Sequence, residues 1–241
     1  MRYRLDLQYD GTDYHGWQIQ PNAPSVEAEV ENALATLLQK PIDVIGCGRT
    51  DTGVHASFYT AHFDTDLPIE PQNLLYKLQK ILPPSIAIIA IMPVSEDFHA
   101  RFSAISRSYI YRIIQNKDPF NNRHTYLFQG KIDLELMKLS CKDLLGTHEF
   151  AAFCKGQPST DHYRCTISQA YWNITDNGLE FHITANRFLR NMVRAIVGTQ
   201  LEIGMGKISL ETHRKLIAGG RRSDAGKSVP ANGLTLSNVQ Y

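Results

Sequence analysis

The sequence has no apolar run near the roughly 20 residues that a membrane-spanning helix needs, which excludes that class. Its opening, MRYRLDLQYD, alternates apolar and charged residues and contains no apolar core of a signal peptide. Cysteine is sparse: Cys47, Cys141, Cys154 and Cys165 form no C-x-x-C pair and match no zinc-ligand spacing. They read as reduced thiols, and the expected location is cytoplasmic. No Gly-rich nucleotide loop, internal repeat or low-complexity segment is present. An excess of charge is missing too, since 25 basic and 24 acidic side chains leave +1, so net charge does not point to nucleic acid. What is there is ordinary: 241 residues, 43% hydrophobic and 20% charged, enough for one large domain or two small ones with real cores.

The charge is unevenly placed. Between Arg187 and Lys227 stand nine basic residues against three acids, a local balance of +6. A solvated face is the commoner fate of such a run, but a phosphate-tracking surface on a near-neutral protein requires the same feature.

Patterning predicts an α+β fold with mostly antiparallel sheet. Tyr3, Leu5, Leu7 and Tyr9 alternate with polar residues as in a half-buried strand, and Asp10-Gly11 ends it. Ser25 caps a helix whose stripe is Val26, Val30, Ala33, Leu34 and Leu37. Strands are expected at 42–47, 58–64 and 86–94, with a helix at 73–82 stopped by Pro83-Pro84. The second half repeats the mixture: a strand at 106–114, a helix at 134–145, and a strand pair, 166–174 and 179–185, joined at Asp176-Asn177-Gly178. Helices at 187–201 and 210–218 and a last strand at 234–239 complete it. A seam near 102–106 divides the chain into an N-terminal αβ subdomain, 1–104, and a C-terminal one, 105–241.

The most polar stretch with chemical potential is CGRTDTGVHAS, 47–57, which puts Arg49, Asp51 and His55 within seven residues. Its D-T-G also occurs in aspartic proteases, but those need two carboxylates sharing a proton. No second D-T-G exists here, and α+β patterning does not suit that all-β alternative. A turn carboxylate capping a backbone N–H is the ordinary fate of an Asp near Gly. A loop that only turns does not need Arg49, Thr50, Thr52 and His55 around it as well.

The stretch Gly48-Arg49-Thr50-Asp51-Thr52-Gly53-Val54-His55-Ala56 closely resembles the signature of the tRNA pseudouridine synthase A family. Further blocks resemble the same family in the same order: Asp10-Gly11 with 14–18 (YHGWQ), 98–104 (FHARFSA), 107–111 (RSYIY), Phe188 with 192–198 (MVRAIVG), and Gly233-Leu234 with Val239. They span nearly the whole chain. The resemblance implies two αβ subdomains flanking a central RNA-binding cleft, and isomerisation of uridines at positions 38, 39 and 40 of the tRNA anticodon stem-loop. It also implies a homodimer, tRNA as partner, and neither cofactor nor metal.

By the same resemblance Asp51 is the catalytic carboxylate. It could attack the base, attack the sugar or remove a sugar proton, and the sequence leaves these three open. Arg194 matches the late-helix arginine that pairs with that carboxylate, and a planar guanidinium can hold it bidentately. Tyr109 matches the active-site tyrosine, placed to stack on the extruded uracil, whereas Tyr111 is expected in the core. Arg49 resembles the residue that fills the space left by the flipped base. Ser108 stands where the family pattern has a basic residue, which weakens one phosphate contact. His55 is expected to hold the loop. Arg187, Arg190 and Arg194 at i, i+3 and i+7 would share one side of a helix, with Arg187 and Arg190 as phosphate contacts. The alternative is a catalytically silent RNA-binding module on the same scaffold.

Overall fold

The computed structural model describes residues 1–157 and 162–241. The chain forms two compact units: residues 1–105 together with 236–241, and residues 106–235. Both mix helices with largely antiparallel strands, so the fold class is α+β, as patterning predicts. Among the described residues no helix is long and apolar enough to cross a membrane.

The first unit is built on β1 (Arg2–Tyr9), β2 (Val44–Gly46), β3 (His55–Asp64) and β4 (Ile86–Val94), with β1 between β3 and β4 and antiparallel to both. The alternation in β1 is realised, with Tyr3, Leu5, Leu7 and Tyr9 buried. Asp6 is buried as well, and its carboxylate accepts from Thr60 Oγ1 at 2.8 Å and pairs with Arg4 at 2.8 Å, which offsets its desolvation. Helix α1 (Val26–Leu38) starts where Ser25 Oγ accepts the Ala28 N–H, and it buries Val26, Val30, Ala33 and Leu34. Helix α2 (Pro71–Ile81) opens two residues earlier than the apolar pattern shows, because Glu70 caps it and Pro71 fits its first position. The chain's final strand, β10 (Leu234–Gln240), lies beside β3, and its residues from 236 onward belong to this unit. The Ile105 N–H donates to the Gln240 carbonyl at 2.7 Å and Tyr241 Oη to the Ala100 carbonyl at 2.7 Å, which ties the C-terminal residues in.

In the second unit β5 (Ser106–Ile114), β9 (Gly178–Ala185), β8 (Arg164–Thr175) and β7 (Gly146–Glu149) follow one another across the sheet. A two-residue strand, β6 (Tyr126–Leu127), runs parallel to β5. The β8–β9 hairpin turns at Asp176-Asn177, and Gly178 is required there: a Cβ would lie 2.0 Å from the Ile113 carbonyl oxygen. Helices α3 (Leu134–Leu144), α4 (Met192–Gly204) and α5 (Leu210–Ile217) cover this core. At its centre Gln200, fully buried, accepts from Trp172 Nε1 at 2.9 Å and donates to Ser140 Oγ at 3.0 Å, so neither end of the amide is orphaned. All four cysteines are buried, and none forms a disulfide.

One expected helix is shorter than predicted. Patterning predicts a helix over 187–201, but α4 begins at Met192. Asn191 adopts a left-handed conformation (φ +65°) and its side chain bonds Ser228 Oγ, which ends helical continuity towards Arg187. Arg187 and Arg190 therefore precede the helix, and the three arginines do not share a helix face.

Candidate active site

Asp51 lies in the short connection between β2 and β3, where the chain has left one strand of a pair and re-enters the next. The connection is held by hydrogen bonds on both sides of the aspartate. Ahead of it, the Gly48 carbonyl accepts a short hydrogen bond from Tyr59 Oη, and the Thr50 carbonyl accepts the Trp17 N–H at 3.4 Å. Thr50 Oγ1 lies 2.9 Å from Tyr9 Oη, both groups buried. Behind it, the Val54 N–H donates to the Asp51 carbonyl at 3.1 Å, closing a turn, and the Gly53 N–H donates to the Tyr14 carbonyl at 3.2 Å.

Two glycines of the 10–17 segment let its backbone approach this loop. A Cβ on Gly11 would sit 2.0 Å from the Val54 carbonyl oxygen. One on Gly16, whose φ is +92°, would sit 2.2 Å from the Thr50 carbonyl oxygen. His55 is 2% exposed; its Nδ1 accepts the Gly11 N–H at 3.1 Å and lies 3.1 Å from Asp10 Oδ1. That geometry gives His55 the loop-holding place expected of it. Asp51 itself is half-buried, while Arg49 and Thr52 are exposed. The loop thus has a held backbone, with the half-buried Asp51 two residues after the exposed Arg49.

The second unit carries Tyr109 and Arg194. Tyr109 is half-buried on β5 opposite Ile183 of β9, and its ring meets Phe188 edge-on, with centroids 5.1 Å apart. Tyr111, on the same face two residues on, is fully buried and donates to the Pro230 carbonyl at 2.9 Å, as a core residue does. Burial pushes its phenol far above the usual tyrosine range, so it stays protonated. Ser108, on the opposite face, bonds Thr184 Oγ1 at 2.9 Å.

Arg194 is in the first turn of α4. Its Nε donates to the Val229 carbonyl at 2.8 Å while its own carbonyl accepts the Val229 N–H at 3.2 Å. The segment around Val229 is seated on α4 by close backbone packing, for a Cβ on Gly198 would lie 1.8 Å from the Lys227 carbonyl oxygen. One edge of the guanidinium is therefore fixed by backbone.

Much of the basic stretch is committed to structure. Arg214 pairs with Asp143 at 3.2 Å and Lys215 with Glu211 at 2.7 Å, and Arg222 donates to the Gly226 carbonyl and Ser228 Oγ, both at 2.9 Å. Arg190 is exposed and Arg187 half-buried.

What sequence reasoning missed is the set of aromatic residues around the loop. Tyr9, Trp17 and Tyr59 are far apart in the chain, and only their strand or block membership was legible. Their rings converge, with Trp17 stacked on Tyr59 at 4.1 Å and Tyr9 5.6 Å from Tyr59.

Comparison with known proteins places the chain. A family model described as tRNA pseudouridine synthase matches residues 7–103 and 140–241, a span that includes the Asp51 loop and the Arg194 helix. A protein of Bacteroides thetaiotaomicron named tRNA pseudouridine synthase A is 45% identical over 243 residues, covering all of this chain and 90% of that one. Proteins of the same name from Parabacteroides distasonis and Bacillus subtilis are 44% and 38% identical, covering all of this chain and 96% and 99% of theirs. The chain belongs to the tRNA pseudouridine synthase family.

Proposed function

We propose that the protein converts uridine to pseudouridine in tRNA, at positions 38, 39 and 40 of the anticodon stem-loop, working as a cytoplasmic homodimer. The observation that carries this reading is full-length similarity to proteins named tRNA pseudouridine synthase A, with the signature loop around Asp51 present and rigidly mounted.

The reaction breaks the N1–C1′ bond, rotates the uracil and forms a C5–C1′ bond. The proton on C5 leaves and N1 takes one up, so no electrons enter or leave and the bookkeeping needs no redox carrier. In this reading Asp51 is the carboxylate at the sugar–base junction. Arg194 is its ion-pair partner, a role supported by the match of its helix to the family pattern and by the backbone bond that fixes one edge of its guanidinium. Tyr109 lays its ring against the extruded uracil, steadied by Phe188. Arg49, exposed beside Asp51, fills the space left in the RNA stem after the base flips out. Arg187 and Arg190 contact phosphates from the chain segment that leads into α4.

The test is position mapping. Unmodified tRNA incubated with the protein should gain pseudouridine at positions 38 to 40 and nowhere else. Modification confined to other uridines would overturn the assignment of position, and an unmodified product would overturn the activity.

A further inference from the structure

We infer that Tyr9 is a positioning residue for catalysis: its hydroxyl, acting through Thr50, sets the place of the Asp51 carboxylate. This rests on Asp51 being the reacting carboxylate.

Tyr9, Trp17 and Tyr59 form one buried ring cluster, 4%, 2% and 0% exposed. Each residue sends one polar group to the loop just before Asp51, at Gly48 or at Thr50. Tyr59 Oη binds the Gly48 carbonyl, the Trp17 N–H binds the Thr50 carbonyl, and Tyr9 Oη binds Thr50 Oγ1 at 2.9 Å. The rings are themselves anchored: Trp17 Nε1 donates to Glu27 of α1 at 3.0 Å, and the Glu27 N–H donates back to the Trp17 carbonyl at 3.0 Å. Burial holds the Tyr59 phenol far above its usual range, so it remains a donor.

Two observations separate this from ordinary packing. A buried hydroxyl without a partner is costly, so what a buried tyrosine is bonded to shows which part of the chain it fixes. Here the bonds that Tyr9 and Tyr59 make to loop residues satisfy those hydroxyls. The Tyr9 bond is also the one that reaches a side chain, and that side chain belongs to the residue directly before Asp51. Thr50 is fixed at both its carbonyl and its hydroxyl, so the next Cα has little freedom. A reacting group displaced by about 1 Å can lose about a hundredfold in rate.

The test uses single-turnover release of tritium from tRNA labelled at uracil C5, with enzyme in excess. Tyr9→Phe and Thr50→Val each remove the same bond while keeping shape. Each should lower the saturating rate by about ten- to a hundredfold at a temperature where the variant is fully folded, with the half-saturating enzyme concentration near that of the parent. Thr50→Ser, which keeps the hydroxyl, should retain the parent rate. The double variant Tyr9→Phe/Thr50→Val should be no slower than either single one, because both remove one shared bond. Parent-like rates in Tyr9→Phe and Thr50→Val, losses that multiply in the double variant, or equal losses in Thr50→Ser and Thr50→Val would each overturn the inference. If Tyr9→Phe does not fold, the contrast between Thr50→Ser and Thr50→Val decides alone. Parent-like tritium release by Asp51→Ala would instead overturn the reading beneath it.

Discussion

At Gly16 the backbone has φ +92°, and the Thr50 carbonyl oxygen occupies the place a side chain would need, 2.2 Å from an added Cβ. Two costs therefore add in Gly16→Ala: a non-Gly residue in the left-handed region, about 1–3 kcal/mol, and overpacking against fixed backbone, about 1–3 kcal/mol. Urea unfolding should show a loss on the order of 2–6 kcal/mol, with activity falling at temperatures where the variant is still folded, since the loop that gives way is the one that carries Asp51. A variant within about 0.5 kcal/mol of the parent would show that the two segments are not locked together. Asp51 was legible from its neighbours, since Arg49, Gly53 and His55 frame it in one unbroken stretch. Its supports were not. Tyr9, Trp17 and Tyr59 belong to a strand, a loop and another strand, and a cross-chain hydroxyl bond leaves no trace in local periodicity.

At the scale of elements, strands with sustained apolar content were readable to the residue: Ile86–Val94 and Ser106–Ile114 begin and end where patterning puts them. The Ser25 cap marked α1 because a side-chain oxygen at that position takes an otherwise unpaired N–H. Where sequence reading failed, tertiary geometry had overridden local preference. Asn191 turns left-handed against Ser228, 37 residues away, and α4 starts after it, so Arg187 and Arg190 leave the expected helix. The strand β7, Gly146–Glu149, reads Gly-Thr-His-Glu and has no apolar alternation; its pairing with β8 supplies what propensity does not. The 3-residue strand β2 is shorter than predicted because the chain turns off into the Asp51 loop, and β3 begins earlier, at His55, for the same reason.

For the whole molecule, each unit hides a histidine that resists protonation. His62, in the first, and His213, in the second, are both buried, and burial holds each down to about 4. His62 also feels Arg2 and His99, while His213 has Asp143 at 3.8 Å partly opposing its desolvation. Unfolding frees both to titrate near 6.5, so the unfolded chain binds more protons as pH falls. Stability is therefore fully present above about pH 6.5 and is lost between there and pH 4, by about 2 kcal/mol per histidine at pH 5. Denaturant unfolding at pH 7.5 and pH 5 should show that fall, and His213→Leu should remove about half of it; a parent whose stability is level across that range would contradict the burial seen here. The central claim, that Asp51 drives isomerisation of uridine in tRNA, is tested most directly by tritium release from tRNA labelled at uracil C5. The parent protein should release label into water in proportion to pseudouridine formed, and Asp51→Ala should release none while still folding and binding the RNA. Failure of the parent to release tritium, or release by Asp51→Ala at the parent rate, would contradict the account.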